Sequence, residues 1–447
     1  MPDYEKALDQ AITLREALPP NHLARFVVMV IGQLDLSHIY ARYALVGGEA
    51  IAPEILLGLL FYGYATGVFS SRKLEKGTYE SIPFRFIASG LHPDHDTIAN
   101  FRKVFLAEIQ ELFVQILLMA KLAGLLKLGN ISVDGSKIHA DASKSKAVSY
   151  KRLGELETEL RQEVHELLEL GEQADQGALR LPEGLVVEDE IAIRKEWLEN
   201  LAGAKTILEA RAQERHSVEQ AEYEAKLRER EEKAKSSGRK PRGRNPKPPE
   251  AGPQDKDQYN FTDPDSRIMK NSTDAGFDQH YNVQVAVDQE SLLILASTVS
   301  NHPNDKQEAV PSLDAISPEV GKPTAAALDN GYFSEANVTA YERRGVDPYI
   351  ATGREPHHKS WHSFFDELPE PAKDASMQVK MAYKLQTKIG QTIYRLRKCT
   401  VEPVIGIIKE ILGFRQFSLR GLVAATGEWC LVCLAFNLKR MHTLMVG

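Results

Sequence analysis

Cysteine is scarce in this chain: 447 residues hold three, Cys399, Cys430 and Cys433. An odd count in a long chain gives no disulfide framework, and one Cys-x-x-Cys without a second pair is a poor zinc site. Buried, reduced thiols in a cytoplasmic protein are expected. Long apolar runs are also missing. The longest, such as Phe26-Val-Val-Met-Val-Ile31, are too short to cross a bilayer, so no membrane partner is expected. Residues 1–20 are acidic and polar, without the charged-then-apolar pattern of a secretion signal. A strong net charge is absent as well, the formal value being −7. That value hides an asymmetry. Between Gly154 and Glu232, 22 acidic residues face 10 basic ones, a net of −12, so the remainder carries +5. From Ser376 onward, 11 Lys and Arg stand against 3 acids. A basic C-terminal part beside an acidic insertion suits a local phosphate-binding surface.

Residues 1–127 read as helical. Apolar positions recur at helical spacing in His22–Leu36, Pro53–Phe69 and Thr97–Leu126. Pro53 suits a first helical turn, and Asp96-Thr97 reads as an N-cap. Gly129–Ala140 reads as a strand carrying Asp134. Two further strands, Tyr281–Asp288 and Leu292–Val299, flank a hairpin-sized loop. A helix (306–316), a strand (325–329), a helix (334–344) and a strand (348–351) follow, then helices holding Glu402 and Trp429–Leu438. Three strands followed by alternating helix and strand predict an α/β fold, a mixed sheet with helices on its faces.

A long insertion separates the first strand from the second. Leu153, Leu156, Leu160, Val164 and Leu167 step as a coiled-coil stripe. After a breaker region at Gly171–Gly184, Trp197, Leu201, Ala204 and Leu208 stand in helical register. An antiparallel helical hairpin over 150–235 is the reading, as an interaction or spacer arm. The basic, Pro- and Gly-rich stretch from 236 to 260 reads as a disordered linker. Its Pro241-Arg242-Gly243-Arg244 resembles an AT-hook, whose arginines enter a narrow minor groove, although Asn245 stands where that motif has proline.

The chemistry centres on acids at three places: Asp134 on the first strand, Asp329 at a later strand end, and Glu402 on a C-terminal helix. Three converging carboxylates suit two Mg²⁺ ions, which prefer oxygen ligands and leave room for phosphate and water. Lys409 follows Glu402 by seven residues, about two helical turns, so the two lie on one helix face. Asp141, Asp263 and Asp265 compete as ligands but lack the strand-end context. His139 reads as a strand residue. Asn330 and Tyr332 either position a substrate or shape the turn after Asp329.

These contexts resemble insertion-sequence DDE transposases of the bacterial group with an InsH-like helical N-terminal domain and an RNase H-like catalytic core. The resemblance rests on Thr97-Ile-Ala-Asn-Phe-Arg102, Val133-Asp134-Gly135-Ser136-Lys137, Asp263–Met269, Tyr281–Val287, Asp329–Ser334, Val401-Glu402-Pro403 to Lys409, Gly413–Phe417 and Arg420-Gly421. It implies that Asp134, Asp329 and Glu402 are the catalytic and metal-binding triad. The group's C-terminal signature is Tyr-x2-Arg-x3-Glu-x6-Lys. Glu402 and Lys409 fit it. Upstream the register slips: Lys398 and Arg395 fall at the arginine and tyrosine places, while Tyr394 and Arg397 keep their mutual spacing one residue early.

The expected domains are a helical DNA-binding part (1–127) and a catalytic part (128–447), the latter interrupted by the hairpin and linker. The expected activity is Mg²⁺-dependent, or Mn²⁺-dependent, cleavage at DNA 3′ ends and strand transfer by a homodimer at the nucleoid. Its partners are double-stranded terminal inverted repeats and target DNA. Arg102, Arg242, Arg244, Arg397 or Lys398, and Lys409 are the expected DNA contacts. Rivals are a catalytically silent transposase-derived DNA-binding protein, an RNase H-like nuclease and a helical-arm scaffold.

Overall fold

The computed structural model describes residues 13–43, 50–237, 245–271, 276–353 and 369–446. Two compact units form: residues 1–141 with 265–447, and residues 142–264.

Beside two short helices, Leu14–Ala17 and Ser37–Ala41, the N-terminal part of the first unit holds α1 (Leu23–Ile31), α2 (Pro53–Ala65), α3 (Ser71–Glu80), α4 (Ile82–Ile87), α5 (His95–Val104) and α6 (Leu106–Leu122). Pro53 takes the first turn of α2, where its missing N–H costs nothing. The cap of α5 lies earlier than the sequence suggests: Asp94, not Asp96, accepts the Thr97 N–H at 2.8 Å. Strand β1 (Asn130–His139) follows α6.

The second unit holds β2 (Ala147–Ser149), α7 (Tyr150–Asp175), α8 (Val187–Ser237) and β3 (Gln258–Asn260). Leu153, Leu160, Leu201, Ala204 and Leu208 form its core. Tyr150 meets Glu209, Glu157 meets Lys205, and Glu163 meets Arg194, so the partners run in opposite directions and the helices are antiparallel. Two expectations change here. Trp197 is 59% exposed, and Leu198 packs on the core instead. The stretch read as a linker to 260 ends in ordered backbone: β3 pairs with β2, and Asp257 holds Arg215 at 2.9 Å.

The first unit resumes with β4 (Arg267–Lys270), β5 (Phe277–Asp288), β6 (Ile294–Ser300), α9 (Ala309–Asp314), β7 (Ala325–Leu328), α10 (Glu335–Arg343), β8 (Asp347–Ile350), α11 (Met377–Gln386), α12 (Lys388–Gly406) and α13 (Leu422–Val446). The sheet runs β6–β5–β1–β7–β8, with β4 sharing the β6 edge of β5. β6, β5 and β1 pair antiparallel, whereas β1, β7 and β8 pair parallel. Helix α12 packs on β1, β5 and β7, and α13 packs on β6, α2 and α6.

By length and composition α13 could cross a membrane, contrary to the expectation that no such segment exists. Its apolar surface is spent inside the protein: Trp429, Leu431, Leu434 and Leu438 are buried, and Asn437 exchanges two hydrogen bonds with the Ile294 backbone. A core helix that is apolar all round is the physical account.

Candidate catalytic centre

Alternation along β1 puts Ser132, Asp134 and Ser136 on one face. Helix α12 and its continuation meet that face group by group. Thr400 Oγ1 donates to Ser132 Oγ at 2.8 Å, Arg397 Nη1 to Asp134 Oδ2 at 2.8 Å, and Lys409 Nζ to Ser136 Oγ at 3.0 Å. Parallel pairing sets Val133 opposite Leu328, so Asp134 and Asp329 stand level on neighbouring strands. Glu402 comes from one turn beyond Arg397 on α12.

Arg397 ties the three acids together. Its Nη1 meets Asp134, and its Nη2 lies 3.2 Å from Glu402 Oε1 and 3.6 Å from Asp329 Oδ1. The guanidinium is buried, while the Asp329 and Glu402 side chains are each 49% exposed. Arg397 therefore forms the floor of a half-open acidic site. Burial opposes its charge, but Asp134, Asp329 and Glu402 outweigh that and hold its pKa above the ordinary value. Burial pushes the Asp134 carboxyl up to about 6, against the pull of Arg397 and of the Gly135 N–H that donates to it. The Lys409 pKa is lowered by burial.

On the opposite face of β1 a polar network supports the centre. Asn282 and Gln284 both donate to Asp305 Oδ1, at 2.9 and 2.8 Å, and the Tyr332 hydroxyl donates to Gln284 Oε1. A Cβ at Gly135 would overlap the side-chain amide of Gln284, so that amide would have to shift. Tyr332 is fully buried, so it shapes the turn after Asp329 rather than facing a substrate. Asn282, Gln284 and Asp305 escaped the sequence reading. The signal for the first two was a pair of amides alternating with Val283 and Val285 in a strand whose every residue there is buried.

The three carboxylates supply the all-oxygen donor set that a hard divalent cation takes, and they converge on one point already held by a positive charge; on that observation the residues fit such an ion. Among the described residues no three Asp, Glu, His or Cys side chains form a closed ion-holding group.

The expected phosphate contacts divide. Arg397 is engaged by the three acids, and Lys398 is exposed. Tyr394 and Arg397 both point inward and are buried, whereas Arg395 and Lys398 are exposed. Glu402 and Lys409 do not share one regular helix: Ile407–Ile411 is π-helical, and both side chains nonetheless serve the β1 face. Arg102 is a correction. It is 6% exposed, and its Nη1 donates to the Tyr64 hydroxyl at 2.8 Å and the Phe69 carbonyl at 3.2 Å, with Glu428 at 3.7 Å. It belongs to the interior. Arg242 and Arg244 lie outside the described residues. The competing acids have other duties: Asp141 pairs with Arg420, Asp265 accepts the Leu422 N–H at the start of α13, and Asp263 is buried in the second unit. Cys430 and Cys433 are buried free thiols, but Cys399 is exposed, against expectation.

Two families match the chain: Transposase domain (DUF772) over residues 12–104 and Transposase DDE domain over residues 257–438. No curated protein and no solved structure matches. The DDE match contains Asp329 and Glu402 but begins beyond Asp134, which lies on the far side of the insertion; β1 rejoins the matched region through its pairing with β5 and β7. The matched stretches together span more than half of the chain, the mixed sheet flanked by helices is RNase H-like, and the protein belongs to the insertion-sequence DDE transposases.

Proposed function

We propose that this transposase binds the terminal inverted repeats of its element, cleaves the 3′ ends and joins them to target DNA, with Asp134, Asp329 and Glu402 as the catalytic triad. The convergence of these acids on Arg397 carries the reading. The triad would hold two Mg²⁺ ions, or Mn²⁺ in their place. Such ions supply an activated water or 3′-hydroxyl and stabilise the leaving oxygen in phosphoryl transfer. The chain's own part is to present three carboxylates on rigid elements. With a pKa of about 6, Asp134 is mostly ionised at neutral pH. Lys398 and Lys409, flanking Glu402, hold the DNA backbone beside the acids.

In this reading residues 1–127 recognise the element's ends. Residues 128–447 perform the chemistry, interrupted by the 150–235 arm and the basic segment beginning at 236. A dimer at the nucleoid holds two ends together. The test is cleavage of a labelled duplex carrying the element's end, with Mg²⁺ or Mn²⁺, comparing wild type with Glu402→Ala. Metal-dependent 3′ nicking by wild type alone, followed by joining to a plasmid, is the expected result. Nicking without joining means a nuclease. Binding alike in both proteins without nicking means a silent DNA-binding derivative and removes the catalytic assignment.

A further inference from the structure

The acids of the proposed triad do not stand apart awaiting an ion. They are gathered around a cation that the chain itself supplies. An arginine guanidinium keeps its charge at every working pH. Here it reaches all three carboxylates through Nη1 and Nη2. Its Nε is buried without a hydrogen-bond partner. The head group is thus held by the acids, with the Tyr394 ring at 5.8 Å beside it. A divalent ion bound to the same oxygens would sit within a few ångströms of a fixed positive charge and be repelled by it. The ion would also take the guanidinium's partners.

We propose that Arg397 is the resident cation of the centre: its guanidinium holds Asp134, Asp329 and Glu402 together in the metal-free protein and has to withdraw from them before a divalent ion can bind. The proposal rests on the triad assignment above. Arg397 is then a positioning residue, and it weakens metal binding until something else claims its guanidinium. Two half-exposed acids leave the ion an open approach, while the buried arginine blocks the site from below. A merely structural arginine makes the opposite prediction, because removing it would splay the ligands and loosen the metal.

The test is direct Mn²⁺ binding to the full chain without DNA, read from the electron paramagnetic resonance signal of free Mn²⁺. Wild type is compared with Arg397→Gln, Arg397→Lys and Glu402→Gln. Arg397→Gln is expected to bind Mn²⁺ at least tenfold more tightly than wild type. Arg397→Lys, whose single ammonium cannot span three carboxylates, is expected to fall between them. Glu402→Gln is expected to weaken binding. Unchanged or weaker binding by Arg397→Gln overturns the proposal and leaves the triad standing. Unchanged binding by Glu402→Gln overturns the triad and the proposal together. Should Arg397→Gln fail to fold, Arg397→Lys decides alone, and affinity no higher than wild type overturns the proposal.

Discussion

Arg102 sits where a sequence reader expects a DNA contact, yet it faces the interior, and the two roles make opposite predictions. Its guanidinium is the counter-charge of Glu428, a fully buried carboxylate. Glu428 also accepts the Ser418 N–H at 2.9 Å, the Leu419 N–H at 3.0 Å, the Tyr64 hydroxyl at 3.0 Å and the Ser418 hydroxyl. Breaking a buried pair by removing one partner costs about 3–5 kcal/mol. Four remaining hydrogen bonds soften the loss, so Arg102→Met should destabilise the first unit by about 2–3 kcal/mol. Adding Glu428→Gln removes the stranded charge, and the double variant should recover at least half of that loss. Urea denaturation followed by circular dichroism measures both. Affinity of the folded variants for duplex DNA, with its salt dependence, supplies the second axis. Unchanged stability in Arg102→Met, together with a salt slope reduced by about one phosphate contact, would refute the argument and restore Arg102 to the DNA.

Three further outcomes follow from the geometry. The Asp134 pKa is raised in the folded state, so its proton favours folding: this contribution is fully present below about 3.8 and is lost as pH rises to about 6. Relative to Asp134→Asn, metal-free wild type should lose on the order of 2–3 kcal/mol between pH 4 and pH 7; a flat difference in paired denaturation curves contradicts the burial argument. Gly135→Ala should fold yet lose nicking, because its Cβ displaces Gln284 beside Asp134; full activity in the duplex assay excludes that network from positioning the acids. Leu153→Ala, in the core of the hairpin, should cost about 2–5 kcal/mol in that unit's melting while metal-dependent nicking persists; loss of both together would show that the arm governs the chemistry.

Local physics made much of this protein legible from its residues. Helical periodicity marked the N-terminal helices and the hairpin, and strand patterns marked β1, β5 and β6, because each element answers to the spacing of its own apolar side chains. Asp134, Asp329 and Glu402 stood out as candidates by local signs, a strand, a strand end and a basic helix; that all three meet Arg397 is visible only in the fold. The choice between Arg397 and Lys398 was not legible. A one-residue slip turns a helix by about 100°, and only the packing of α12 on β1 decides which side chain faces Asp134. Arg102 looked like a surface cation because Glu428, its reason for burial, comes 326 residues later. Asp305 gave no local sign; amides on β5 make it part of the support. Sequence determined which segments could become helix or strand and which acids could do chemistry. Tertiary structure decided which cations belong to the interior, because burial of a charge depends on partners that the chain brings together only when it folds.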